Sequence, residues 1–79
     1  MEIKEKVTAI LCDKLGLEEY DVDENKQLVS DLGADSLDLV EIIMEIEKEF
    51  NVKIDDNELS EIKTVGDIIK KLKDMGVKE

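Results

Sequence analysis

The apolar positions of the chain fall into three stretches with helical spacing. Ile3, Val7, Ile10, Leu11 and Leu15 recur every three or four residues, which predicts an amphipathic helix from about Glu2 to Leu15 stopped by Gly16. Leu39, Ile42, Ile43, Ile46 and Phe50 predict a second, since no Gly or Pro interrupts the chain from Leu37 to Phe50. Asp35 or Ser36 is its natural N-cap, a side-chain oxygen accepting one of the backbone N–H groups that the first turn leaves unpaired. From Val65, the spacing of Ile68, Ile69 and Leu72 predicts a last helix ending near Met75-Gly76, and Thr64 with Asp67 resembles a capping box with Asp in place of Glu. Between these, Asn51–Ile54 reads as a connection, followed by a brief helix from about Asp56 to Glu61 that contributes Leu59 and Ile62. Leu17–Gly33 has no period. It reads as a long structured loop pinned onto the helices by Leu17, Tyr20, Val22, Leu28, Val29 and Leu32. The expected fold is all-α: a small antiparallel helical bundle of three main helices plus one short helix, with a long loop between the first and second, in a single domain spanning 1–79.

The second helix carries more apolar residues than one core face requires. Leu37, Val40 and Met44 fall on a different face from the core stripe, beside Ser36 and interleaved with Glu41, Glu45 and Glu47. Two readings stand: ordinary exposed apolar residues, or a docking strip rimmed by carboxylates. The helix start also places the Ser36 hydroxyl at the positive end of the helix dipole, a setting that suits an attached phosphate.

Charge sharpens the picture. The 79 residues carry a formal net charge of −11, and between Ser30 and Ser60 there are ten acidic residues against two lysines, a net −8. Such a field repels nucleic acid and anionic lipid and speeds encounter with proteins that present basic patches. Lys70, Lys71 and Lys73 read as helix solvation and as partners of the negative C-terminal end of the last helix. No apolar run approaches the ~20 residues that span a bilayer, and Met1-Glu2-Ile3-Lys4 leads directly into an amphipathic pattern, so neither a signal peptide nor stable membrane insertion is expected. A single cysteine, Cys12, excludes an internal disulfide framework and fits a reducing cytoplasm; by helical phase it lies off the core stripe and reads as an inert edge cysteine.

The residues argue against chemistry of the chain's own. Ser36 has no histidine to activate it, because the chain contains none, and Asp35 and Asp38 are weak bases. There is no His/Cys cluster for zinc and no Gly-rich phosphate loop. Asp21-Val22-Asp23-Glu24-Asn25 suggests a calcium loop, but Lys26 stands where that loop needs Gly and Leu32 where it needs the bidentate Glu. No specific metal site is expected, and the protein reads as a monomer without enzymatic activity of its own.

Asp31-Leu32-Gly33-Ala34-Asp35-Ser36-Leu37-Asp38, running into Val40-Glu41 and on to Phe50, resembles the signature of acyl carrier proteins, and the resemblance extends over essentially the whole chain. It implies that Ser36 carries a covalent 4′-phosphopantetheine arm derived from coenzyme A, whose thiol holds a growing acyl chain as a thioester. It implies that Asp35 helps hold the metal ion when a phosphopantetheinyl transferase (holo-ACP synthase) docks. Leu37, Asp38, Val40, Glu41, Met44 and Glu47 match positions that contact partner enzymes, among them acyltransferases and fatty acid synthesis enzymes with basic docking patches. It further implies that the acyl chain enters the aliphatic interior between the second and third helices. Two residues depart from the family pattern: Lys48, where many members are acidic, and Glu45, where a small apolar residue is frequent.

The free-standing acidic chain favours fatty acid synthesis by separate enzymes, of the bacterial type, over a polyketide or nonribosomal-peptide carrier. From another class, an acidic adaptor without a prosthetic group, binding a protein through Leu37, Val40 and Met44, predicts that Ser36→Ala leaves function intact.

Overall fold

A computed structural model describes residues 3–78. Four helices follow in order: α1 (Ile3–Leu15), α2 (Ser36–Phe50), α3 (Asp56–Leu59) and α4 (Val65–Asp74). The predicted helical start at Glu2 lies outside the described residues. Helix α1 packs against both α2 and α4 and so forms the spine of the bundle. Val7 and Leu11 from α1, Ile42 and Ile46 from α2, and Val65, Ile68 and Leu72 from α4 are all fully buried. Leu39 and Phe50 pack against this core while half-exposed at its edge, as do Ile10 and Leu15.

The helix starts are set by short-range hydrogen bonds. Reciprocal capping boxes open α2 (Asp35 with Asp38), α3 (Asp55 with Glu58) and α4 (Thr64 with Asp67). Helix α2 ends where Asn51 turns left-handed, at φ 54°, its N–H reaching back to the Glu47 carbonyl. Helix α3 is shorter than predicted. After Leu59, the N–H groups of Glu61 and Ile62 bond three residues back, to Glu58 and Leu59, so the spiral tightens into a turn.

The 17–35 loop contains one 3₁₀ turn, Glu19–Asp21, that periodicity did not predict. Val22, Leu28 and Leu32 are buried as expected and Leu17 is half-buried, but Tyr20 and Val29 are exposed, at 85% and 57%. Both are corrections to the pinning set. Tyr20 belongs to the 3₁₀ turn, and that turn buries none of its residues. Val29, next to the fully inserted Leu28, is left at the surface.

What holds the loop is backbone. The Leu28 N–H donates to the Lys63 carbonyl (2.9 Å), Val65 N–H to Lys26 (3.0 Å) and Gly66 N–H to Glu24 (3.0 Å). Gln27 and Thr64 face one another as an isolated antiparallel bridge. Gly66 permits this approach, because a Cβ there would lie 3.0 Å from the Glu24 carbonyl oxygen.

Candidate functional site

The loop delivers Ser36 to the first position of α2 through a compact turn. The Asp31 carboxylate accepts the Gln27 N–H at 2.8 Å, while Leu32, Gly33 and Ala34 donate back to the carbonyls of Gln27, Val29 and Leu28. Gly33 takes φ 75°, a left-handed value that a side chain disfavours, and Ala34 is buried directly after it. Asp31 is thus a structural clasp, a role that only the folded turn reveals.

Asp35, not Ser36, is the N-cap. Its Oδ1 accepts the Asp38 N–H at 2.9 Å, and Asp38 Oδ2 accepts the Asp35 N–H at 3.2 Å. Ser36 is left exposed at the positive end of a 15-residue helix, and within the described residues its hydroxyl is held by no hydrogen bond. An accessible, unencumbered hydroxyl beside unpaired helix N–H groups fits a phosphodiester-linked group.

Along α2 from Ser36, Leu37, Val40 and Met44 are exposed at 66%, 45% and 61%, with Glu41 exposed among them. Their spacing of three and four residues puts them on one helix face. Asp38 is half-buried and engaged in the cap. Glu47 differs from the rest of the predicted set: its Oε2 accepts the Ile54 N–H at 2.7 Å, tying the end of α2 to the segment before α3. Lys48 is exposed near the end of the helix, where a cation complements the dipole.

A cleft of about 230 Å³ opens one helical turn beyond Ser36, between Leu39 of α2 and Ile62 after α3, with Leu28 and Val29 of the loop as another wall and Gln27 and Lys63 at its edge. The exposure of Val29 places it at this cleft, a position that hydrophobicity alone could not assign. The cleft joins α4 through Asp67, whose Oδ2 accepts the N–H groups of Lys63 (2.9 Å) and Thr64 (3.0 Å). Those two backbone bonds, against a smaller opposing effect of burial, hold its carboxyl below the ordinary 3.8. On α1, burial and then the carboxylates of Glu19, Glu18 and Asp21 push the Cys12 thiol up, which leaves it a poor nucleophile. Among the described residues no three acidic, Cys or His side chains converge on a metal position, and no helix is long and apolar enough to cross a membrane.

Residues 5–72 match the family model described as phosphopantetheine attachment site. The chain is 54% identical over 68 residues to an acyl carrier protein of Thermotoga maritima, covering 86% of this chain and 84% of that protein. The chain belongs to the acyl carrier protein family. In three dimensions it is similar to a solved structure from Mycobacterium tuberculosis described as a candidate acyl carrier protein, with a TM-score of 0.88 and 34% identity over 94% of this chain and 99% of that one. Acyl carrier proteins carry cargo for enzymes and bear phosphopantetheine as their prosthetic group; the helical bundle seen here is their fold.

Proposed function

We propose that this acyl carrier protein carries the growing chain of fatty acid biosynthesis on a 4′-phosphopantetheine attached to Ser36 Oγ. The observation that carries this reading is the exposed Ser36 at the start of α2, inside the Asp31–Asp38 motif and next to an apolar cleft. When attached, the group supplies a thiol that holds acyl cargo as a thioester. The chain's own residues do the rest. The first turn of α2 presents the hydroxyl and offsets the negative charge of a phosphodiester. Asp35 is exposed beside Ser36, where it can assist a metal ion brought by the phosphopantetheinyl transferase. Leu39, Leu28 and Ile62 offer an apolar wall to the start of an alkyl chain.

Docking falls to Leu37, Val40 and Met44, with Asp38, Glu41 and Glu47 as an acidic rim for basic patches on fatty acid synthesis enzymes and acyltransferases. A small apolar strip with acidic steering suits brief encounters, because charge accelerates association while little area is buried. Glu47 serves this rim with its charge, since its geometry is fixed by Ile54.

Intact mass after incubation with coenzyme A, magnesium and a broad-specificity phosphopantetheinyl transferase tests the proposal. One added phosphopantetheine is expected on the wild type and none on Ser36→Ala. A folded wild type that gains no mass, while a control carrier is loaded in parallel, overturns the assignment and favours the adaptor. Offering fatty and polyketide extender units to the loaded protein then separates the two carrier chemistries.

A further inference from the structure

Helix α3 is a four-residue helix between two turns, and its side of the cleft is held from α4. Lys71 Nζ donates to Glu61 Oε1 at 3.1 Å and lies 3.8 Å from Glu58 Oε2. One ammonium thus grips both the helix and the turn that follows it. Ile62, next in sequence to Glu61, lines the apolar cleft on one side. On the other it lines a polar groove formed with Glu61, Asp67, Lys70, Lys71 and Asp74. On its C-terminal side this wall is fixed by the backbone of Lys63, bonded to Asp67 and Leu28; on its N-terminal side it depends on what Glu61 is tied to. The opposite wall has no ionic tie: Leu28 is fully buried, and its N–H bonds the Lys63 carbonyl beside Ile62. The preceding segment is fastened by Glu47 at Ile54. Ile62 and Leu59 pack on the core that α4 shares, but between Ile54 and Ile62 the polar side-chain links to α4 are ionic, and ionic links of this exposure yield more readily than buried packing.

We propose that Lys71 is a positioning residue for the acyl cargo: by bridging Glu58 and Glu61 it sets Ile62 as the adjustable wall of the cleft, and so governs how firmly a bound alkyl chain is sheltered. This rests on the reading that the cleft receives the chain. Glu61 first, through its hydrogen bond and charge, then Glu58 and Asp74, keep the Lys71 ammonium protonated above its ordinary range, so the tie persists at neutral pH.

The test compares wild type, Lys71→Met, Lys71→Arg and Glu61→Gln, each in the holo form loaded with an octanoyl group, with octanoyl-pantetheine as the unprotected reference. The first readout is the rate at which hydroxylamine cleaves the thioester. The second, on unloaded protein, is amide hydrogen exchange at Glu61 and Ile62 against α1 amides. Cleavage and local exchange are expected to rise about two- to five-fold in Lys71→Met, the range open to an ion pair of this exposure, with α1 exchange unchanged and Lys71→Arg restoring both. Glu61→Gln, at an exposed side chain, is expected to act in the same direction and serves if Lys71→Met fails to fold. Unaltered cleavage and exchange in the folded variants, with the wild type protected, overturn the positioning role. A wild type cleaved as fast as octanoyl-pantetheine instead overturns the cargo reading of the cleft, and the exchange data alone then decide whether Lys71 holds Ile62.

Discussion

Asp67 shows how much one carboxylate can settle. Its Oδ2 joins the N–H groups of Lys63 and Thr64 while its own N–H is accepted by Thr64 Oγ1, so the turn entering α4 closes around a single side chain. Because its folded pKa is depressed below 3.8, its contribution to stability is fully present above that pH and is lost as the pH falls through the lower, folded value. Asp67→Asn is expected to lose about 1–2 kcal/mol at pH 7, the scale of a lost charge-assisted cap. The gap between variant and wild type should close in acid. Denaturant melts at neutral and strongly acidic pH check this, and a gap of equal size at both would show that the charge is not what matters. Ser36 is the opposite kind of residue, exposed and with a hydroxyl that takes no hydrogen bond among the described residues, as the attachment proposed for it requires.

At the scale of elements, α1, α2 and α4 were legible because each repeats its apolar residues at the helical period, and α2 and α4 also begin at a capping side chain. The exposed apolar strip of α2 was legible for the same reason, since Leu37, Val40 and Met44 lie out of phase with Ile42, Ile43 and Ile46. The loop was not. Without a repeat, nothing in the sequence tells an inserted Leu28 from an exposed Val29 or Tyr20; only the backbone path does. Lys71 looked like its neighbours Lys70 and Lys73 because Glu61 is ten residues away and is brought close only by the turn between α3 and α4. Gly66, inside α4, is where the loop and that helix touch. Gly66→Ala would gain helix propensity but push its Cβ against the Glu24 carbonyl, which the Gly66 N–H holds in place. A net loss of about 1 kcal/mol is expected, as for a modest overpacking. A variant that melts above the wild type would show that the loop backbone gives way freely.

For the molecule as a whole, the net charge of −11 is both tool and burden. In the proposed function it steers basic partners towards α2, and it also sets the folded chain against itself. Raising monovalent salt from about 20 mM to about 0.5 M shortens the screening length from roughly 20 Å to roughly 4 Å. The melting temperature is expected to rise, by about 4–8 °C for each kcal/mol of repulsion relieved in a domain of this size. Calorimetry across that range checks the sign, and a falling melting temperature would mean that the favourable pairs, such as Lys6 with Glu49, outweigh the repulsion.

The bridge between residues 24–28 and 63–66 also bears on timing. A ribosome that has made α2 has already made Ser36, but the carbonyls of Glu24 and Lys26 and the N–H of Leu28 do not yet have their partners. Helix α1 at that stage has the 3₁₀ turn and α2 against it but still lacks α4. The turn that presents the serine is therefore completed from the far end of the chain. On the attachment proposed for Ser36, an enzyme that recognises only the surface around it therefore meets that surface complete only once α4 is in place.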